Sequence, residues 1–173
     1  NGTSGDIDVI THEFGHALAA DYMFKFSEPD YPTGMETHEC HSMSMEFLCH
    51  PYMKDFFGKF NDKYRYKHIV DALSFIPYGV IVDEFQHIVY ENPDLTPDER
   101  KSEYLKLEKK YRPYLSFEGI PYLEEGTRWQ YQMHIFESPF YYIDYCIAQC
   151  VALGFLCLSL ENYEDALEKY CEF

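Results

Sequence analysis

The run His12-Glu13-Phe14-Gly15-His16 sets two imidazoles four residues apart, which on an α-helix puts both on one face and within reach of a single metal ion. Imidazole nitrogens suit zinc. Glu13, adjacent to His12 but rotated about 100° around a helix, would stand beside a metal-associated water as a general base instead of serving as a ligand. The chemistry on offer is hydrolysis by an activated water. The five-residue pattern also occurs by chance in unrelated helices, so a third ligand has to be found. No histidine stands six residues after His16, where Tyr22 occurs, and the three-histidine arrangement is excluded. A carboxylate is therefore expected. Glu36 and Glu39 lie three apart on the next expected helix and share a face, so geometry leaves the choice between them open.

Thr3 and Asp6 stand at capping-box spacing ahead of Ile7, Ile10, Phe14 and Leu18, which predicts a helix from about residue 4 to about residue 26 carrying the histidines. Pro29, Pro32 and Gly34 make residues 27–34 a loop. Helical spacing returns from about Glu36 to Leu48 through Met35, Cys40, Met43 and Phe47. A short helix is expected over Pro51 to Phe60 and a longer one over His68 to Tyr90, with Pro77-Tyr78-Gly79 as a point of kinking. Thr96-Pro97-Asp98-Glu99 is a cap, a first-turn proline and a capping-box glutamate, opening a charged helix to about Tyr111. Arg112 to Gly126 is expected to be irregular. Thr127 to Leu160 is read as helical, broken at Ser138-Pro139, and Asn162 caps a last helix. The fold class expected is mainly α.

A chain of 173 residues has room for one sizeable core, so one unit spanning 1–173 is expected. With 30 acidic and 14 basic side chains and a formal charge of -16, it would be repelled by phosphate backbones and anionic membranes, and neither nucleic acid nor membrane is an expected partner. Six cysteines form no C-x-x-C pair and fall in apolar helical patterns, which reads as reduced core thiols and a cytoplasmic location. The first residues carry no basic-then-apolar leader pattern. The most apolar run, Cys146 to Leu160, contains Gln149 and Ser159, falls short of the roughly 20 residues that span a bilayer, and reads as a buried helix. The chain opens almost on the cap of its motif helix and stops within a helical pattern, as a piece of a larger protein would.

From Thr11 onward the sequence resembles the oligoendopeptidase F and thimet oligopeptidase family of zinc metallopeptidases. In that family the H-E-F-G-H helix is followed by a glutamate that opens a second helix, with another glutamate seven residues later. Here these are Glu39 and Glu46, in His38-Glu39-Cys40-His41-Ser42-Met43-Ser44-Met45-Glu46, with Cys40 and His41 where small or apolar residues are usual. The resemblance continues through Val82-Asp83-Glu84-Phe85-Gln86-His87, Tyr90-Glu91-Asn92-Pro93, Arg128-Trp129-Gln130-Tyr131, His134-Ile135-Phe136 and Pro139-Phe140-Tyr141-Tyr142-Ile143-Asp144-Tyr145.

It implies a helical zincin-type core in which one zinc ion is held by His12, His16 and Glu39, with Glu13 as the base. Glu46, on the same face as Glu39, would accept a ring N–H from a ligand histidine and fix its tautomer. A histidine and tyrosines of the last segment would donate to the oxyanion; His134, Tyr142 and Tyr145 are the residues chosen, although Tyr141 and Tyr145 share a helical face equally well. The implied substrates are short peptides cut internally. Two other readings are a fragment that binds zinc and peptide without turnover, because the substrate-covering lobe lies outside it, and a purely structural zinc site, which would want a fourth protein ligand. His38 and His41 flank the third ligand but would point away from the metal. His50, His68 and His87 read as surface or satisfied core groups, and Asp83, Glu84 and His87 as a structural network, since one helix supplies no closed coordination shell. Oligomeric state is not legible.

Overall fold

The computed structural model describes residues 2–26 and 35–173. Its α-helices are α1 (Ser4–Phe26), α2 (Met35–Leu48), α3 (Met53–Phe57), α4 (Asn61–Glu91), α5 (Pro97–Tyr111), α6 (His134–Glu137), α7 (Tyr142–Glu161) and α8 (Tyr163–Glu172). Single 3-10 turns occur at His50–Tyr52, Gly58–Phe60, Leu123–Glu125 and Arg128–Tyr131, and no strand occurs among the described residues. The fold is mainly α. The loop expected at 27–34 lies outside the described residues, as do the side chains of Phe26, Met35 and Glu36.

Helix starts follow local chemistry. The Asp6 carboxylate accepts from the Thr3 backbone N–H at 2.7 Å and from its hydroxyl at 2.9 Å. At α5 the Thr96 hydroxyl accepts from Glu99 N while the Glu99 carboxylate accepts from Thr96 N at 2.8 Å, closing a capping box. Asn162 accepts from Asp165 N to start α8.

Two boundaries differ from the sequence expectation. α4 begins at Asn61 instead of near His68, because Tyr64, His68 and Ala72 form one buried stripe at four-residue spacing that the intervening charged residues obscure. It also continues through Pro77. The stretch after Thr127 is a 3-10 turn, the short α6 and a loop before α7 begins at Tyr142, since Trp129 and Ile135 pack individually against the local core instead of along one helix face.

The residues fall into two contact-dense units, 1–72 with 147–173, and 73–146. In the first, α1 turns a stripe of small residues, Thr11, Gly15 and Ala19, inward, toward Ser42 on α2. A Cβ on Gly15 would stand 2.6 Å from Ser42 Cα and 2.8 Å from the His41 carbonyl oxygen, so the two helices meet backbone to backbone. Elsewhere α2 is anchored by Met45 and Leu48 against Phe155, Ala166 and Tyr170, and by Phe47 against Ala72, Ala152 and Leu156. Burial of these side chains is what fixes α2 against α4, α7 and α8, at about 1.5–3 kcal/mol for each large residue removed from water.

In the second unit Ile81, Phe85, Tyr104 and Leu107 form the core. A buried Glu108–Arg112 pair lies beside it, with the Arg112 and Arg128 guanidinium groups 4.9 and 4.8 Å from the Tyr78 ring centre.

The expected burial of α7 and of the thiols holds only in part. Ala148, Ala152, Phe155 and Leu156 are buried, but Ile147, Cys150, Gly154, Cys157 and Leu160 make an exposed stripe. Within its full bounds the helix has 20 residues, long and apolar enough to cross a membrane. A helix apolar on every side carries no periodicity to say which stripe faces the core. The cysteines form no disulfide among the described residues; Cys40 and Cys146 are buried, whereas Cys150, Cys157 and Cys171 are exposed.

Candidate metal centre

α1 holds the His12 and His16 rings side by side, centroids 4.9 Å apart and nearly perpendicular. α2 brings Glu39 to them. Its Oε2 lies 3.4 Å from His12 Nε2 and 3.8 Å from His16 Nε2, and the three ligand atoms all lie within 4.8 Å of one another. Donors around a tetrahedral zinc at about 2.0–2.1 Å are about 3.3–3.4 Å apart; the Glu39 to His12 spacing matches this and the Glu39 to His16 spacing is longer, and two imidazole nitrogens with a carboxylate oxygen are a donor set that suits zinc. Ser42 Oγ donates to Glu39 Oε2 at 3.1 Å and steadies the carboxylate. Glu13 projects from the same helix and is exposed. The alternative ligand, Glu36, lies outside the described side chains.

Behind His12 stands Glu46, whose Oε1 accepts from His12 Nδ1 at 2.8 Å. The other oxygen, Oε2, accepts from His68 Nε2 at 2.8 Å, and His68 Nδ1 lies 2.9 Å from His50 Nε2. Electrostatics follow from these contacts. Burial opposes charge on His12, but its hydrogen bonds to Glu39 and Glu46 win and carry the metal-free imidazole up to about 9. Burial likewise opposes ionisation of Glu39 and Glu46, yet the imidazoles facing them hold both carboxyls below the usual range. Burial holds His16 below its ordinary value and, with His68 and Arg65 nearby, pushes His50 down to about 3.

The second unit holds the other predicted residues. His134 is ringed by Tyr142, Tyr145 and Tyr141 at centroid distances of 5.1, 5.6 and 6.3 Å. The Tyr78 hydroxyl donates to Gln132 Oε1 at 2.9 Å, and Gln132 Nε2 faces His134 Nδ1 at 2.6 Å. An amide nitrogen only donates, so His134 Nδ1 accepts and the ring's proton sits on Nε2, where it can be donated. Gln86, buried at 1% exposure, accepts from Phe140 N at 2.8 Å and pins the turn before α7, where Phe140 adopts φ 65°. Burial, then Tyr78, keeps the Tyr142 phenol protonated well beyond its ordinary range.

Sequence reasoning missed His68, His50 and Gln132. His68 and His50 carry no local signal, their partners being 22 and 18 residues away; Gln132 shows only as a polar neighbour of His134. The other groups have structural contacts. Glu84 meets Lys110 and Tyr111, His87 pairs with Asp83 at 3.5 Å, and His41 Nδ1 donates to the Thr37 carbonyl.

The family model for peptidase family M3 matches residues 3–168, a span that takes in both the metal-facing side chains of α1 and α2 and the tyrosines around His134. The chain belongs to peptidase family M3. Among solved M3-like structures it is similar to PZ peptidase A determined with an inhibitor, at 51% identity and a TM-score of 0.92 over 98% of this chain and 30% of that one. A protein assigned as oligoendopeptidase F gives 52% identity and a TM-score of 0.91 over 98% and 30%. Another so assigned, from Bacillus anthracis str. Ames, gives 47% and 0.78 over 98% and 27%. No match was found among curated proteins. The chain thus spans about 30% of the length of the M3-like structures it matches, and the expected resemblance to oligoendopeptidase F is met by both the family model and these structures.

Proposed function

We propose that the chain carries the catalytic centre of a zinc-dependent endopeptidase that hydrolyses internal bonds of short oligopeptides, with His12, His16 and Glu39 as metal ligands. The observation that carries this reading is the convergence of those three ligand atoms beside an exposed Glu13, in a chain of the M3 family. A zinc ion held there would supply Lewis-acid polarisation of water and of the scissile carbonyl. The Glu13 carboxylate takes a proton from the attacking water and returns it to the leaving amine nitrogen, so no covalent intermediate on the protein is required. The family's role for His134, Tyr142 and Tyr145 is donation to the developing oxyanion, which an imidazole Nε2–H and protonated phenols can fill. Short peptides are the proposed partners, and cysteines held outside disulfides are in keeping with the cytoplasm as the proposed location.

A second reading is favoured by one fact: the chain spans about 30% of the length of its solved relatives. On that reading it binds zinc and peptide without turnover. Zinc content and hydrolysis of a quenched short peptide, measured together, separate the two. The endopeptidase reading expects about one zinc per chain, loss of zinc in Glu39→Ala but not in Glu36→Ala, and turnover lowered at least about 10²-fold in Glu13→Gln with zinc retained. Zinc retained by the wild type without turnover supports the binding reading. Loss of zinc in Glu36→Ala alone would overturn the ligand set.

A further inference from the structure

We propose that His68 is a positioning residue for the metal centre: by donating from Nε2 to Glu46 it holds the carboxylate that orients His12, while His50 fixes the tautomer of His68. This rests on the zinc reading above and adds to it two residues outside the motif.

Glu46 has one oxygen on His12 and the other on His68, each at 2.8 Å. With His12 alone, a half-buried carboxylate would keep one oxygen unpartnered and would be free to turn away, at the cost that unsatisfied buried acceptors carry. His68 removes that freedom from the opposite side, from α4, and is itself held. Its ring stacks on Phe47 at 4.4 Å and 14° and lies beside Tyr64 at 5.8 Å, whose hydroxyl donates to Asp8 at 2.6 Å.

The direction of each bond follows from the donors available. An ionised carboxylate only accepts, so His12 carries its proton on Nδ1 and His68 carries one on Nε2. His50 is 2% exposed and its Nδ1 is buried with no partner among the described residues. If His50 donates from Nε2 to His68 Nδ1, that orphaned atom is a bare lone pair; the reverse direction would bury an unpaired N–H, which folded proteins avoid more strictly. His50 thus donates to His68 and His68 to Glu46, while Glu46 accepts from His12 on its other oxygen, which leaves His12 Nε2 facing Glu39.

Glutamine and asparagine separate this role from packing. A glutamine amide reaches the place of His68 Nε2, whereas an asparagine amide reaches only that of Nδ1 and loses Glu46. Zinc affinity of the purified protein, measured by competition with a chromophoric chelator, should fall about 10-fold or more in His68→Asn and His68→Phe and stay within about threefold of wild type in His68→Gln, with about one zinc per chain at saturation in all. If His68→Phe does not fold, the Gln and Asn pair decides. Unchanged affinity in His68→Asn, or equal loss in Gln and Asn, overturns the positioning role alone. A wild type that takes up no zinc overturns the zinc reading itself and this inference with it.

Discussion

His12 Nδ1 and Glu46 Oε1 lie 2.8 Å apart across α1 and α2, which leaves His12 Nε2 as the nitrogen facing Glu39, 3.4 Å away. Partners of this kind set the tautomer and raise the basicity of a metal-binding imidazole. Glu46→Gln keeps the shape but removes the charge and places an amide N–H₂ against one of two imidazole donors. Zinc affinity should fall about 10–100-fold by chelator competition, with the stoichiometry at saturation unchanged.

Gly15 owes its place to the approach of two backbones. In Gly15→Ala the new methyl meets Ser42 Cα and the His41 carbonyl, neither of which can swing aside, so α1 must move off α2. The expected cost is about 1–3 kcal/mol, read in a thermal melt as roughly 2–4 °C per kcal/mol. Gly154 is the control. A methyl added there on α7 would find nothing within 4 Å, and Gly154→Ala should be neutral or stabilise by up to about 1 kcal/mol.

The tyrosines around His134 can be told apart by turnover at constant metal content. Tyr142→Phe and Tyr145→Phe each remove one phenolic donor and should lower kcat by about 10²-fold, with KM and zinc content little changed. Tyr141, whose ring is farthest from His134 at 6.3 Å, should tolerate phenylalanine to within about threefold of wild-type kcat. A large loss in Tyr141→Phe with a silent Tyr142→Phe would reverse the assignment of the pair.

Acid should find His50 first. Its imidazole is held at about 3 in the folded protein against an ordinary 6.5, chiefly by burial. The unfolded chain therefore takes up a proton that the folded chain refuses, so the stability His50 allows is complete above its unfolded value of 6.5 and is lost as pH falls from there toward about 3. The slope for one proton is about 1.4 kcal/mol per pH unit once the unfolded group is charged. His50→Gln keeps a donor toward His68 but does not titrate. Between pH 6.5 and one unit lower, its melting temperature should fall less than that of wild type, by roughly 2–3 °C.

Part of the fold and of the site was legible along the chain. The one-face placement of His12 and His16 needs only the period of a helix, and the capping box at Thr96 and Glu99 closes within four residues. α1 and α5 were found for that reason, each opening on a local cap at Thr3 or Thr96, and α2 was found by the helical spacing of Cys40, Met43 and Phe47. The early start of α4 was hidden because the buried stripe Tyr64, His68, Ala72 is interleaved with charge, and the exposed stripe of α7 because Ile147, Cys150 and Leu160 are as apolar as the residues that are buried.

The sequence by itself determined which residue types could meet a metal and which elements would carry them, since spacing along one helix is a local property. The resemblance already set Glu46 behind a ligand histidine. Only the tertiary structure made that histidine His12, 34 residues away, gave the other carboxylate oxygen to His68, 22 residues away, and brought Gly15 against Ser42 where two helix backbones touch. Those pairings depend on which faces of α1, α2 and α4 bury together, and that is set by the packing of the whole unit around Met45, Phe47 and Leu48, which no period within a single helix encodes.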